Sequence, residues 1–212
     1  MNIIIFGATG KTGHELVTQS LEKGYKVTAV VRNPTKMTIT HPHLTIEQGD
    51  LTNDTDVTMI VKAQAYDAVF SALGAKTPFQ RDLILTKATK NIIQAAAENH
   101  IDKFIHVSFI GVRKESSKLG MLYKYIAPVV MKNLIADHRE KEAVLVNSGL
   151  NWIAVQPPIL TSGAKTGNYI HEQHINKGIS SKKKLSRANL ADFMIHQLQQ
   201  DTYHQSAVFV TE

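Results

Sequence analysis

Apolar and polar positions follow two rhythms along the chain, and the change from one to the other marks its elements. Ile3, Ile4, Ile5 and Phe6 are apolar without a break, the pattern of a strand covered on both faces. In the run that follows, Leu16, Val17 and Leu21 return at helical spacing, and Gly24 marks its stop. The same pair of rhythms recurs. Residues 26–31 and 44–47 read as strands two and three, and a helix capped by Thr52 or Asn53 runs to about Ala63. Residues 67–72 form strand four, and a helix over 81–99 carries Ile84, Ala88, Ile92, Ala95 and Ala96 as its buried face. Residues 103–107 form strand five, 134–147 a helix ended by Ser148 and Gly149, and 151–155 strand six. Gln156-Pro157-Pro158 interrupts that strand, because proline cannot extend a central strand. Ser186 caps a last helix over 189–199, and 207–210 closes the chain as an edge strand. Strands alternating with helices predict an α/β fold: a doubly wound, mainly parallel sheet with helices on both faces.

Length and composition narrow this picture. A chain of 212 residues with 43% hydrophobic content fits one domain over 1–212 with an ample core. The absence of cysteine excludes disulfides, thiolate metal sites and cysteine nucleophiles. No apolar run approaches the ~18 residues that span a bilayer, so no membrane partner is expected. Strand one begins at residue 2 with no leader before it, and the sequence reads as a cytoplasmic protein. The formal charge is +6. Its densest cluster, Lys182, Lys183, Lys184 and Arg187, has no aromatic interleaving and reads as a solvated surface rather than a nucleic-acid site. A basic chain also suits an anionic cofactor or substrate. The sequence leaves the oligomeric state open.

Glycines at 7, 10 and 13 sit between the first strand and the first helix. That placement forms a dinucleotide-binding fingerprint. Gly7 lets the chain turn off the strand, Gly10 leaves room for a pyrophosphate, and Gly13 lets the helix approach the sheet. Free N–H groups at the helix start then face the phosphates. Where NAD-binding chains usually place an acid at the end of strand two, this chain has Arg32, with Thr35 and Lys36 after it. A guanidinium pairs with a 2′-phosphate through two parallel hydrogen bonds, so these residues point to NADP(H). Asp50 either accepts from an adenine amino group, with Leu51 against the ring, or only fixes its turn. Leu73 and Gly74 end strand four, where sheet ligands gather.

Chemistry at the far end of the cleft has three candidates. Ser108, at the tip of strand five, either bonds a carboxamide or substrate or satisfies the strand end. His138 follows Asp137, a neighbour able to raise an imidazole pKa and make it a proton source; the alternative is a surface histidine. The irregular stretch 109–132, holding Gly111, Gly120, Tyr123, Tyr125 and Pro128, is a natural substrate wall. The Tyr-xxx-Lys pair of short-chain dehydrogenases is missing, since Ala127 follows Tyr123 and Val129 follows Tyr125 at that spacing. His171 and His174 lack further metal-ligating neighbours, so no metal is expected. No G-x-S-x-G elbow is present.

These pieces resemble a known group. Phe6-Gly7-Ala8-Thr9-Gly10-Lys11-Thr12-Gly13, Val31-Arg32, Gly49-Asp50, Leu73-Gly74, Asp137-His138, Ser148-Gly149-Leu150 and Gln156-Pro157-Pro158 resemble the atypical short-chain dehydrogenase/reductases. That group includes biliverdin-IXβ reductase (flavin reductase) and NmrA-like NAD(P)-binding proteins. The resemblance implies a Rossmann-type NADP(H)-binding fold. It places phosphates on Thr9, Gly10, Lys11 and Thr12, the 2′-phosphate near Arg32, Thr35 and Lys36, and the nicotinamide near Val107, Ser108 and Pro158. It implies hydride transfer to flavins, quinone-like acceptors or tetrapyrroles. The expected reading is an NADPH-dependent reductase of a small acceptor such as a flavin or quinone, with substrate-pocket segments near 109–132 and 157–185 and with Ser108 and His138 as the candidates that orient the acceptor. The alternative is an NmrA-like sensor that binds NADP without turnover. Two positions depart from the flavin-reductase branch: Ile159 stands where a histidine follows Pro-Pro, and Phe109 where a serine or threonine follows Ser108.

Overall fold

The computed structural model describes residues 1–74, 80–101, 103–175, 184–200 and 202–212. Lys182 and Lys183 of the basic cluster lie outside them. Strand β1 (Asn2–Phe6) is at the centre of the fold. Its side chains alternate between two separate apolar clusters. Ile3 and Ile5 enter one, Ile4 and Phe6 the other, as period two requires of a strand buried on both sides.

Helix α1 (Lys11–Glu22) covers the first face with Leu16, Val17 and Leu21. Strands β2 (Lys26–Val31) and β3 (Leu44–Gln48) then extend the sheet in one direction. After helix α2 (Asp54–Lys62) the chain crosses to the other side of β1 as strand β4 (Ala68–Ser71). Helix α3 (Leu83–Glu98) follows, then strand β5 (Lys103–Val107) and an excursion of short turns ending in the one-turn helix α4 (Ala127–Val130). Helix α5 (Lys132–Val146) leads to strand β6 (Asn151–Gln156). Past Pro157 and Pro158 come β7 (Ile159–Thr161), β8 (Ile170–Glu172) and β9 (Lys184–Ser186). Helix α6 (Arg187–His196) and strand β10 (Ser206–Thr211) complete the chain.

The main sheet has eight strands in the order β3-β2-β1-β4-β5-β6-β10-β8. All neighbours are parallel except β8, which runs antiparallel to β10 with Phe209 opposite Glu172. This is the doubly wound, Rossmann-like sheet expected, with a small β7–β9 pair beside it. Helices α1 and α6 share one face; residues of α2, α3 and α5 pack on the other. Strand order reverses between β1 and β4, and at such a point the carboxyl ends of the strands open a cleft.

Local signals set the boundaries. Asn53 caps α2 by accepting from the Thr55 and Asp56 N–H groups, and Ser186 caps α6 by accepting from Asn189 N–H. Asp82 accepts from Leu85 N–H, so α3 begins after it rather than at Arg81. Two expectations fail. Ile84 is exposed, and Leu85 takes its place in the buried face of α3. The closing strand is not an edge: Val208, Phe209 and Val210 are all buried, and β8 lies outside them. An unbroken buried run is the mark of an internal strand.

Candidate functional site

The Gly-rich turn is locked by its own backbone. Gly7 sits at a φ of +80°, and a Cβ there would lie 2.9 Å from the Ala72 carbonyl carbon at the end of β4. At Gly13 a Cβ would overlap the Gly7 carbonyl oxygen and stand 2.7 Å from Ala8 Cα. Only glycine allows the helix to start this close to the strand. Gly10 N–H donates to Gly7 O at 3.0 Å. No side chain caps α1, and no acid lies in its first turn. The positive end of the helix is therefore open to an anion.

A cavity of about 340 Å³ lies over this turn, lined by Thr9, Gly10, Lys11, His14 and one acid, Glu15, with Ser162, Gly163 and Arg187 as the rest of its wall. Ser162 and Gly163 fall in the segment 157–185 expected to wall the substrate pocket, and Arg187 belongs to the cluster read as a solvated surface; neither reading placed them at the glycine turn. They arrive because α6 packs on α1, where Gln19 Nε2 donates to Ala188 O at 2.9 Å. Buried Asn189 then holds the loop after β7: its Oδ1 accepts from Thr166 and Gly167 N–H at 2.8 and 3.0 Å.

A second cavity, of about 180 Å³, brings together five residues singled out above: Arg32, Asp50, Leu51, Leu73 and Gly74. Exposed Ile84 lines it too. Asp50 Oδ1 accepts from the backbone N–H and the hydroxyl of Thr52, at 2.9 and 2.8 Å. Those bonds, helped by the charges of Lys87 and Arg32, hold its pKa below the ordinary carboxylate value. The turn-fixing role is thus present in the geometry. Thr35 donates its hydroxyl to Asn33 Oδ1 at 2.8 Å. Thr35 and Lys36 are exposed beside this cavity's Arg32 in sequence, and neither lines it.

Beyond the tip of β5 the side chains form a polar chain. Ser108 is buried, its N–H held by Val155 O at 2.7 Å. Its hydroxyl donates to Glu142 Oε1, which also accepts from Gln156 Nε2 at 2.7 Å. Arg113 Nε donates to Gln156 Oε1, and its Nη2 to Ala207 O at 2.6 Å. Val107 is half-buried and Pro158 buried at the same strand ends. Sequence reasoning singled out neither Glu142 nor Arg113, and it read Gln156 only as the start of an interruption, whereas β6 runs through Gln156 and the break comes at Pro157.

His138 stands 3.4 Å from Ser108 Oγ through Nδ1. It is not a surface group. Burial pushes its pKa well below the usual histidine value, and Lys141 and His106 push it the same way. The expected rise from Asp137 is not found, because that carboxylate is taken by Arg81 Nε and by Asp82 N–H at 2.8 Å. The site holds a neutral imidazole. Under it Lys141 is fully buried with its Nζ lacking a hydrogen bond, and burial lowers its pKa to about 8 against the pull of Asp137, Asp82 and Glu142. His106 is likewise fully buried with both ring nitrogens unpartnered. The Phe109 ring lies 6.2 Å from His138 and 6.4 Å from Tyr123, so an apolar plate stands where the resemblance expected a hydroxyl.

Known proteins agree with this architecture. A family model described as NAD(P)H-binding matches residues 7–201. An uncharacterized chloroplastic protein of Arabidopsis thaliana is 28% identical over 179 residues, covering 80% of this chain and 63% of that one. The chain spans less than two thirds of the curated relatives it matches. Among solved structures, a proposed NADH-flavin reductase from Streptococcus pneumoniae superposes with a TM-score of 0.78 at 25% identity, covering 100% of this chain and 99% of that one. A proposed NAD-dependent epimerase/dehydratase from Bacillus halodurans does so with a TM-score of 0.82 at 22% identity, covering 100% and 94%. Among the described residues, no helix is long and apolar enough to cross a membrane.

Proposed function

Because the chain belongs to the NAD(P)H-binding family, we propose that it is an NADPH-dependent reductase that passes hydride to a small acceptor such as a flavin or quinone. The observation that carries the reading is the cavity shared by Arg32, Asp50, Leu51, Leu73 and Gly74 past the carboxyl ends of β2, β3 and β4. Bound NADPH supplies the hydride; this chain's residues bind, orient and exclude water. The open start of α1, with Thr9, Gly10, Lys11 and Thr12, takes the pyrophosphate, and Lys11 and Arg187 add positive charge there. Arg32 takes the 2′-phosphate, with Thr35 and Lys36 beside it, and Leu51 and Leu73 flank the adenine. Val107, Ser108 and Pro158 back the nicotinamide.

Ser108 and His138 are the residues proposed to orient the acceptor. With the Ser108 hydroxyl donating its proton in a hydrogen bond to Glu142, the serine offers other groups lone pairs only. His138 is neutral and does not act as a charged acid. An acceptor that takes its proton from water suits this site, which fits a flavin or quinone and an atypical dehydrogenase without the Tyr-xxx-Lys pair. A cytoplasmic location is kept as part of the proposal.

The second reading, a sensor that binds NADP without turnover, is favoured by one feature: Ser108, Glu142, Gln156 and Arg113 bond to one another. Loss of NADPH absorbance with a panel of flavin, quinone and aldehyde acceptors separates the two. Turnover with a flavin or quinone supports the reductase. Micromolar NADPH binding with no turnover across the panel gives the sensor.

A further inference from the structure

The excursion between β5 and α5 shows an apolar face that is left exposed among the described residues. Met121, Leu122, Tyr125, Ile126, Val129 and Val130 are between 42% and 76% exposed. Their spacing is helical: 121, 125 and 129 make one row, 122, 126 and 130 the next. The backbone is helical throughout, a π turn over Leu122–Ile126 continued by α4. The opposite side of the same segment is well anchored. Tyr123 and Ala127 are buried in a cluster with Ile110, Leu119, Ile175 and Phe209. The outward apolar rows are therefore part of a packed element and not a frayed one.

Within the segment itself the charge is of one sign, and the acid next to it, Glu115, already pairs with Lys118 and Arg113. From residue 116 to residue 136 the chain holds Lys118, Lys124 and Lys132 and no acid. All three lysines are exposed, as is Lys114 just before them. Lys118 shares Glu115 at 3.7 Å, and Lys124 lies over the Tyr125 ring at 5.1 Å.

We propose that this segment is a docking surface for an anionic phospholipid bilayer, lying in the interface with its six apolar side chains below the headgroups. An apolar helical face flanked by lysines is what such an interface binds. The lysine stems run along the apolar surface and carry their charges out to lipid phosphates. A second copy of this chain suits the face less well. The segment 116–136 carries three lysines and no acid, and the neighbouring Glu115 is already paired with Lys118, so two copies meeting through it would have like charges and no free acid to offset them. The proposal revises the expectation that no membrane is involved, since the lack of a spanning run concerns crossing and not surface binding. The face lies within the stretch 109–132 expected to wall the substrate pocket, and vesicle binding is read without turnover, so its outcome is distinguishable from that of the reductase reading.

The test is flotation of the full chain with vesicles of phosphatidylcholine alone and of phosphatidylcholine mixed with phosphatidylglycerol. Binding is expected to the mixed vesicles at low salt, to be lost at high salt, and to be weak on phosphatidylcholine alone. Ile126→Glu with Val129→Glu, and separately Lys124→Glu with Lys132→Glu, are each expected to weaken binding at least about tenfold. Both pairs are exposed, and an unchanged circular dichroism spectrum and melting temperature show that the variants remain folded. No binding to mixed vesicles, equal binding to both vesicle types, or binding that survives both variants overturns the proposal. So does a wild-type dimer that becomes a monomer in Ile126→Glu with Val129→Glu, which would assign the face to a second copy.

Discussion

The Ser108 hydroxyl donates its proton to Glu142 Oε1 at 2.5 Å, although His138 Nδ1 lies 3.4 Å away on its other side. A hydroxyl has one proton to give, so Ser108 meets anything else in the cleft as an acceptor. Glu142 in turn holds Gln156, and Gln156 holds Arg113. Removing the middle of a buried chain leaves more unpaired groups than removing its end. Glu142→Ala is expected to lower unfolding free energy by about 1–3 kcal/mol. Ser108→Ala is expected to cost no more than about 1 kcal/mol and to reduce turnover by a larger factor than it weakens NADPH binding. Denaturant unfolding and steady-state kinetics on the two variants check this order.

Lys141 gives a pH-dependent prediction. Its Nζ is buried without a hydrogen bond, and burial brings its pKa from 10.5 down to about 8. In the unfolded chain the amine keeps the ordinary value. The folded state therefore sheds this proton more readily, and wild-type stability rises as pH climbs from about 8 toward 10.5. Below that window the buried charge costs stability in full. Asp137 retains Arg81 when the lysine is gone. Lys141→Met is expected to be more stable than wild type by roughly 1–3 kcal/mol at neutral pH, with the advantage shrinking as pH passes through that window. Unfolding curves at neutral and alkaline pH measure both.

Gly10 and Gly13 should fail differently. At Gly10 an added Cβ meets only Gly7 O, at 3.2 Å, whereas at Gly13 it overlaps backbone. Gly13→Ala is expected to lose several kcal/mol of stability as α1 is forced off β1. Gly10→Val is expected to fold with a melting temperature near wild type and to bind NADPH at least about tenfold more weakly, because its side chain fills the space over the helix start. Thermal melts with parallel binding titrations decide between the two.

Much of this architecture was legible in the sequence, and the unread parts share a cause. The strand–turn–helix at residues 2–22 showed because continuous burial and glycine sterics are local signals. Arg32, Asp50, Leu51, Leu73 and Gly74 were readable one at a time from their places at strand ends, and the structure gathers them around one cavity. The nearness of Ser162, Gly163 and Arg187 to Thr9 was not, since only the packing of α6 on α1 brings them there, and Arg187 had read as solvated surface. Helix α5 misled for another reason. Asp137, His138 and Lys141 are polar, yet their spacing with Leu145 is that of a buried face, and all four are buried. Residue type masked the periodicity. The same masking hid Glu142 and Gln156, whose partners lie in neighbouring elements.

The account turns on Arg32 facing a phosphate. Calorimetric titration of the wild type and of Arg32→Ala with NADPH and with NADH tests it most directly. The expected result is wild-type binding at least about tenfold tighter for NADPH than for NADH, with Arg32→Ala losing most of that difference through NADPH alone. Equal affinity of the wild type for the two nucleotides, or no heat from either, would contradict it.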